Sequence, residues 1–258
     1  MQIKFTEEDI HRYSRHLLLA EVGGHGQRKL RAASVLIVGA GGLGSPLGLY
    51  LAAAGVGRIG IIDDDRVEMS NLQRQIAHGV ADLGREKAVS AAEAMLAINP
   101  STIVQTHLAR LDGGNVHQLI GDYDLVCDGS DNFPTRFLLA DACVAARKTL
   151  VSAAVMRFEG QLSVFKPYVS GPCYRCLYPE APPDGMVPSC AESGVLGAVT
   201  GVMGTLQATE VLKELLGIGE TLAGRLMLWD ALGSRFRTIN VPRDPSCSVC
   251  GSMPTVGG

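Results

Sequence analysis

Residues 34–75 read SVLIVGAGGLGSPLGLYLAAAGVGRIGIIDDDRVEMSNLQRQ, and this stretch decides the fold. An apolar run leads into a glycine-rich turn, small residues with helical spacing follow, and a second apolar run ends in three aspartates. Gly39, Gly41 and Gly44 match the pattern GxGxxG, which is typical of a strand–turn–helix unit that binds a nucleotide.

A nucleotide site at this turn has a physical basis. Glycines let the backbone bend tightly and approach a phosphate, and the helix N-terminus presents free N–H groups and a positive dipole end. Two carboxylates at the end of the second apolar run, Asp63 and Asp65, can accept hydrogen bonds from ribose hydroxyls. The usual ligand of such a turn is a dinucleotide such as NAD, so an NAD-dependent oxidoreductase is one interpretation.

Composition allows a substantial core, since 47% of the 258 residues are hydrophobic and 19% are charged. The net charge of −3 gives no overall reason to expect nucleic-acid binding. The N-terminus has no apolar signal segment, and the longest mildly apolar stretch, residues 195–206, is too short and too interrupted to span a bilayer. We therefore expect a soluble, cytoplasmic protein without nucleic-acid or membrane partners.

The alternation of apolar runs with helical segments predicts an α/β fold, a Rossmann-like doubly wound and mostly parallel sheet. N-terminal helices precede it, the first over Glu7–Ala20 behind a capping box, and an antiparallel extension follows it. We expect one domain over residues 1–258. Its segments are a helical N-terminus at 1–33, a nucleotide-binding core at 34–155 and a C-terminal region at 156–258.

A polar block follows the aspartates and contains Ser70, Asn71 and Arg74, side chains suited to phosphate. Lys87 lies in the first turn of the next predicted helix, where a cation opposes the helix dipole. A bound phosphate would remove that conflict, whereas the alternative is an ordinary surface lysine. The block and Lys87 together indicate a site for a polyanion near the glycine turn.

Asp131 and Asn132 follow a buried apolar run that ends at residue 128. Because the carboxyl ends of parallel strands meet at one crevice, we expect them near the glycine turn. A carboxylate beside phosphates is most simply a magnesium ligand. The alternative role for Asp131 is the N-cap of the next helix.

Two CxxC pairs lie far apart in the chain, Cys173 with Cys176 and Cys247 with Cys250. The spacing within each pair suits one metal, and two pairs complete a tetrahedral zinc site without an open position. We therefore predict a structural zinc centre. Redox-active pairs are the alternative, but neither pair is predicted to begin a helix in a βαβ unit.

The remaining cysteines differ in setting. Cys127 and Cys143 lie in apolar segments and are expected to be core thiols. Cys190 lies in a Pro- and Gly-rich loop, where it is either a nucleophile with a lowered pKa or an incidental loop cysteine.

The combination of these motifs resembles the HesA/MoeB/ThiF family, adenylyltransferases related to ubiquitin-activating enzymes. The resemblance extends from Arg12-Tyr13-Ser14-Arg15 to Gly251 and implies an activity. ATP, with Mg²⁺, would adenylate the C-terminal glycine of a small ubiquitin-fold sulfur carrier ending in Gly-Gly, and pyrophosphate would leave. The carrier would be of the MoaD type, for molybdopterin synthesis, or of the ThiS type, for thiamine synthesis. Residues 156–258 would then bind the carrier and zinc.

The resemblance also implies roles for particular residues. Asp63 would hold the ribose, and Arg74 and Lys87 would hold the triphosphate. Asp131 would organise magnesium and the leaving pyrophosphate. The nucleotide contacts implied are Gly39, Gly41, Gly42, Gly44, Asp63, Asp65, Ser70, Asn71, Arg74, Lys87, Asp131 and Asn132.

Two implied residues concern partners. Arg15 would reach the phosphates of a second subunit, which makes a homodimer part of the active site, although a solvated helix face is its alternative. Cys190 matches a family cysteine that forms a covalent link to the carrier in some relatives and is dispensable in others.

Several alternatives stay open at this point. A non-catalytic, zinc-stabilised scaffold would bind the carrier without releasing pyrophosphate, and the choice between MoaD and ThiS carriers is undecided. No rhodanese-like segment follows Cys250, so we expect a separate sulfur donor. The chain ends in Gly257-Gly258, like a carrier, which we interpret as a flexible end rather than a site of self-modification.

Overall fold

The computed structural model describes residues 4–169, 171–183, 186 and 193–253. The strands are β1 Ser34–Val38, β2 Arg58–Ile62, β3 Ile103–His107, β4 Leu125–Asp128, β5 Thr149–Met156, β6 Glu159–Phe165, β7 Arg225–Asp230 and β8 Arg235–Asn240. The helices are α1 Glu7–Arg12, α2 Ser14–Leu17, α3 Gly23–Ala32, α4 Gly44–Ala54, α5 Lys87–Ile98, α6 Val116–Gly121, α7 Phe133–Ala145, α8 Tyr174–Leu177 and α9 Gly197–Leu216. Short 3₁₀ turns cover Met69–Asn71 and Val80–Asp82.

All eight strands form one sheet in the order β3-β2-β1-β4-β5-β6-β7-β8. The first five pair in parallel, and β6, β7 and β8 add antiparallel strands at one edge. The chain winds outward from β1 in one direction and from β4 in the other, so a crevice opens where these two strands meet. The Rossmann-like sheet, the N-terminal helices and the antiparallel extension are thereby confirmed.

The sheet separates two hydrophobic cores. On β1, Val35 and Ile37 belong to the core under α4, α5 and α9, while Leu36 and Val38 belong to the core under α6 and α7. Because successive side chains of a strand point to opposite faces, a strand covered on both faces reads as a continuous apolar run. This explains the run at the start of the deciding stretch.

At two glycines of the GxGxxG pattern, other backbone atoms lie so close that there is no room for a Cβ. Gly39 has φ of +97°, and a Cβ there would lie 2.9 Å from the carbonyl oxygen of Gly129. A Cβ on Gly44 would overlap the carbonyl oxygen of Gly39. The turn from β1 into α4 therefore requires glycine at both positions.

The prediction of one N-terminal helix over Glu7–Ala20 is wrong. The capping box is confirmed, since Asp9 N–H donates to Thr6 Oγ1 at 3.1 Å and Thr6 N–H donates to Asp9 Oδ2 at 2.9 Å. The helix breaks at Tyr13, whose buried hydroxyl accepts a hydrogen bond from Asn99 Nδ2 at 2.8 Å. The backbone of Tyr13 has φ of −97° and ψ of 14°, which interrupts the helix for this one residue, and α2 ends at Leu17.

No helix within the described ranges combines the length and the apolar character needed to cross a membrane.

Candidate active site

A cavity of about 880 Å³ opens at the carboxyl ends of the parallel strands. Of the candidate nucleotide residues, those lining it are Gly39, Gly41, Gly42, Asp63, Asp65, Arg74, Lys87, Asp131 and Asn132. Gly44, Ser70 and Asn71 are not part of this lining, and Ser70 is exposed. Arg15 is exposed on α2, away from the cavity, and Cys190 lies outside the described residues.

The peptide of Ala40, inside the glycine turn, is held from both sides. Its N–H donates to Asp63 Oδ2 at 2.7 Å, and its carbonyl oxygen lies 3.0 Å from His78 Nε2. His78 is buried, and Ser90 Oγ lies 2.9 Å from its Nδ1. Nε2 must therefore carry the proton, while Nδ1 accepts from the serine hydroxyl. Sequence reasoning missed His78, because its role depends on a contact 38 residues away in the chain.

Asp63 sits at the end of β2, where each of its carboxylate oxygens accepts one backbone N–H. Oδ1 accepts from Asp65 at 2.8 Å, in addition to the contact of Oδ2 with Ala40. Burial raises the pKa of Asp63, although these two donors act in the opposite direction. Each oxygen keeps a further lone pair, so the group can still accept from ribose hydroxyls.

Lys87 is buried at the start of α5, so the alternative of an ordinary surface lysine is wrong. Its Nζ donates to Asp65 Oδ2 at 2.7 Å, and only 8% of the lysine side chain is exposed, against 68% for the aspartate. The unfavourable interaction of the lysine charge with the helix dipole is therefore offset by a carboxylate of the same chain, that of Asp65. Both groups line the cavity.

In the polar block after β2, one side chain shapes the turn and another lines the cavity. Asn71 is buried, and its Oδ1 accepts the N–H of Glu68 at 3.1 Å, so this side chain shapes the turn. Arg74 lines the cavity, and its Nη1 donates to the carbonyl oxygen of Ser70 at 3.0 Å.

Asp131 and Asn132 have separate tasks. Asn132 is the N-cap of α7, with its Oδ1 accepting the N–H of Thr135 at 3.0 Å, so the capping alternative for Asp131 is wrong. The carboxylate of Asp131 is exposed toward the cavity, and Asn132 Nδ2 lies 3.4 Å from its Oδ1. Asp131 is thus available to a ligand.

Two arginines of the lining were missed by sequence reasoning. Arg110 follows the end of β3 and is exposed at the cavity, a position that the convergence of strand ends could have indicated. Arg136 is buried, and its Nη1 lies 3.2 Å from Asp128 Oδ2 and 2.9 Å from the carbonyl oxygen of Ala153. Arg136 therefore joins β4, β5 and α7 at the wall of the cavity.

Aromatic and apolar side chains also line the cavity. Its wall carries Phe165, Tyr174, Leu177, Tyr178 and Leu226. The hydroxyl of Tyr178 donates to Gln161 Oε1 at 2.5 Å, so the polar end of this ring is paired. Such a surface suits an extended apolar or peptide group rather than a phosphate.

The four predicted zinc ligands come together. Their Sγ atoms all lie within 4.8 Å of one another, with 3.6 Å between Cys173 and Cys247 and 3.4 Å between Cys176 and Cys250. Tetrahedral Zn²⁺ with four thiolates requires sulfur separations of about 3.8 Å. Burial raises the pKa of Cys173 and raises that of Cys250 to about 11. Burial also acts to raise the pKa of Cys247, but hydrogen bonds from the backbone of Cys250 and Val249 outweigh it and lower that pKa to about 7. The donor set therefore fits zinc.

The cysteine cluster and the cavity share one short segment. Cys173 is the N-cap of α8, but this one-turn helix lies between antiparallel strands and is not part of a βαβ unit, as expected. Cys176 lies on this helix beside Tyr174 and Leu177, and these two neighbours line the cavity. Beside them, Arg175 donates from Nε and Nη2 to both carboxylate oxygens of Asp141 on α7, each at 2.8 Å.

The ThiF family model matches residues 13–249. The chain belongs to the ThiF family. It is 50% identical over 257 residues to the sulfur carrier protein adenylyltransferase of Thermus thermophilus, covering 98% of this chain and 95% of that protein. It is 53% identical over 252 residues to the adenylyltransferase and sulfurtransferase MOCS3 of Bos taurus, covering 97% of this chain and 55% of that one. The chain thus spans about half the length of the bovine relative.

Structural comparison gives the same fold. The crystal structure of MccB from E. coli superposes with a TM-score of 0.81, over 99% of this chain and 75% of that one, at 24% identity. This ThiF family protein is an adenylyltransferase, which is the activity named for both of the relatives above. The family resemblance drawn from its motifs is confirmed.

Proposed function

We propose that this protein adenylates the C-terminal glycine carboxylate of a ubiquitin-fold sulfur carrier with ATP and releases pyrophosphate. The carrier we propose first is of the MoaD type, and a ThiS-type carrier is the alternative. The Thermus thermophilus relative, named for a sulfur carrier protein and matched along nearly its whole length, supports this class of substrate.

One observation carries the proposal. A single cavity holds the glycine turn, Asp63, Arg74, Lys87 and Asp131 beside an aromatic and apolar wall. The first set suits a nucleotide and its phosphates, and the wall suits an extended peptide. The reaction needs these two substrates to meet end to end, and one continuous cavity supports that arrangement.

The nucleotide would occupy the turn. The N-terminus of α4 and the bare backbone of Gly41 and Gly42 would approach the phosphates, and Asp63 would accept from the ribose. Arg74 and Lys87 would counter the negative charge on the leaving pyrophosphate. The exposed carboxylate of Asp131 has the oxygen chemistry that Mg²⁺ prefers, and a bound Mg²⁺ would supply further charge neutralisation on the phosphates.

The chemical step is a displacement at phosphorus. A carboxylate oxygen of the carrier's last glycine attacks the α-phosphorus, the new P–O bond forms, and the bond to the bridging oxygen breaks. Pyrophosphate leaves with that electron pair. The carboxylate is already ionised at neutral pH, so the step needs positioning and charge stabilisation but no general base.

Three further elements complete the proposal. Zinc at the four cysteines would tie the segment around residue 247 to α8. A homodimer would bring Arg15 of one subunit to the phosphates of the other. Cys190 would serve a later covalent or sulfur-transfer step, because adenylation itself needs no thiol.

The experiment is intact mass spectrometry of a MoaD-type and a ThiS-type carrier after incubation with this protein and Mg-ATP. An AMP adduct on one carrier assigns the carrier, and adducts on both indicate a shared activator. Absence of any adduct, with the enzyme folded, would refute the proposal. Carrier binding without pyrophosphate release would instead support the scaffold, and quenching of NADH fluorescence would support the oxidoreductase.

A further inference from the structure

Arg110 is an exposed arginine of the cavity lining to which the proposed reaction assigns no task. It lies shortly after the end of β3, and its main chain is fixed, because Asn115 Nδ2 donates to the Arg110 carbonyl oxygen at 2.8 Å. Its guanidinium makes no hydrogen bond, ion pair or ring contact with any part of the chain that the structure describes. The guanidinium is therefore available to a ligand of the cavity.

The strand order places the base of a bound nucleotide beside Arg110. Phosphates at the glycine turn lie at the end of β1, and a ribose held by Asp63 lies at the end of β2. The next strand outward is β3, and the N–H of Asp63 donates to the carbonyl oxygen of His107 at 3.2 Å, which keeps the two strand ends together. Because phosphates and base are attached at opposite ends of the ribose, the base continues outward, over the end of β3.

Three apolar side chains form a floor for one face of that base. Val38 ends β1, Ile62 ends β2, and Leu111 follows Arg110. All three line the cavity, belong to one hydrophobic core and are at most 6% exposed. A purine has two broad apolar faces, and burial of one against this floor is favourable, but the other face then needs a cover. Leu111 is buried in the floor while its neighbour Arg110 is exposed, so the arginine can reach over a base that rests on the leucine.

We infer that the guanidinium of Arg110 stacks on the outer face of the adenine of ATP and holds the base against this floor. The inference rests on the nucleotide part of the proposed function. A guanidinium is planar and weakly hydrated and stacks on aromatic faces, whereas a lysine ammonium is a compact, strongly hydrated charge. It carries donors only, so it cannot accept from the adenine amino group, and stacking needs no such acceptor. Arg110 would thereby strengthen ATP binding without contact with the carrier.

The test measures the Kd of ATP by calorimetry, with Mg²⁺ and without carrier. Arg110→Leu removes the planar cation and keeps an apolar side chain, and we expect Kd to rise about tenfold, which corresponds to about 1.4 kcal/mol. The melting temperature should stay unchanged, because the side chain is exposed. The matched control is Arg237→Leu, an exposed arginine of β8 outside the cavity lining, which should leave Kd unchanged. An unchanged Kd in Arg110→Leu would overturn the inference.

Two further variants separate stacking from charge. Arg110→Phe keeps a flat face without the charge, so its Kd for ATP should stay within about threefold of the wild type. Arg110→Lys keeps the charge without the flat face and should lose nearly as much affinity as Arg110→Leu. The reverse order, with lysine restoring affinity and phenylalanine failing to do so, would assign Arg110 to the phosphates and overturn the inference.

Tripolyphosphate, which lacks the base and the ribose, gives an independent check through its competition with ATP. Its affinity should be the same for the wild type and for Arg110→Leu. A loss equal to the loss for ATP would place Arg110 at the phosphates and overturn the inference.

The wild-type enzyme decides which claim fails. If it binds ATP and adenylates a carrier while Arg110→Leu binds ATP equally well, the inference fails and the proposed function stands. If it binds ATP but adenylates neither carrier type, the proposed reaction fails, and the Arg110 variants still decide the inference. If it does not bind ATP, both fail.

Discussion

Lys87 Nζ and Asp65 Oδ2 lie 2.7 Å apart, although the residues are 22 positions apart in the chain. The lysine is buried and the aspartate is mostly exposed, so the pair forms a charged edge of the cavity rather than a surface salt bridge. When the pair separates, water solvates the exposed carboxylate, but the buried ammonium then needs a new anionic partner. An incoming triphosphate could then pair with the ammonium group of Lys87, which already lies at the cavity.

Lys87→Met is expected to lower kcat/KM for adenylation by about 10²–10³-fold, through lost stabilisation of charge on the pyrophosphate. Stability should change little, because the unpaired Asp65 is exposed. Steady-state pyrophosphate release measures the effect. Arg66→Met is the matched control, since Arg66 pairs with Glu86 outside the cavity lining and should leave activity within about twofold. Equal losses in both variants would point to net charge rather than to Lys87.

Asp131→Ala should abolish most adenylation, with a loss of about 10²–10³-fold, while the melting temperature stays unchanged. The carboxylate is exposed and is not the cap of α7. Asn132→Ala removes that cap and should cost about 1 kcal/mol in the free energy of unfolding. Urea unfolding and pyrophosphate release together separate the two residues. A fully active Asp131→Ala enzyme would remove this carboxylate from the mechanism.

His78 should make stability depend on pH. Burial, assisted by the nearby charge of Lys87, lowers the pKa of His78 from its usual 6.5, although the Ala40 carbonyl and Asp82 act in the opposite direction. Below 6.5 the unfolded chain therefore binds the proton more readily than the folded one, so this stability is present above 6.5 and is lost as pH falls.

His78→Gln tests that dependence because glutamine can donate to Ala40 but does not titrate. Urea unfolding at about pH 7.5 and about pH 5.5 should show a larger loss in the wild type than in the variant. Burial also lowers the pKa of His107, which acts equally in both proteins. Parallel pH profiles would show that His78 takes up its proton alike in the folded and unfolded chains.

Removal of zinc should affect the two substrates unequally. Cys173 and Cys176 border Tyr174 and Leu177 of the cavity wall, whereas the glycine turn lies on other elements. Chelation should lower the melting temperature by about 10 °C, and carrier affinity should fall more than ATP affinity. Calorimetric binding of each substrate measures this, and added Zn²⁺ should restore both. Purified protein without stoichiometric zinc would contradict the four-cysteine site.

Cys190→Ala is expected to retain adenylation, because the displacement at phosphorus uses no thiol. Intact mass of the carrier after incubation with ATP should show the AMP adduct at the wild-type rate. Loss of the adduct from a folded variant would give Cys190 a role in the first step.

Local sequence was enough to predict most elements. The two apolar runs, the glycine turn and the start of α5 at Lys87 follow from residue spacing and from the steric needs of glycine. The helix break at Tyr13 could not be predicted, because no glycine, proline or cap residue marks it in the sequence, and the buried contact of Tyr13 with Asn99 is made across the fold. Helix propensity over residues 7–20 is a local quantity, and it does not include the tertiary packing of the buried Tyr13.

For the site, the sequence by itself determined which chemical groups are available: a glycine turn, carboxylates at strand ends, cations after β2 and two CxxC pairs. These follow from residue type and short spacing, which act within a few positions of the chain. Tertiary structure decided which groups are paired and which are free. It buried Lys87 against Asp65 and held the Ala40 carbonyl against His78. Burial and long-range pairing set the strength of a polar contact, and both exist only once the sheet has brought distant segments together.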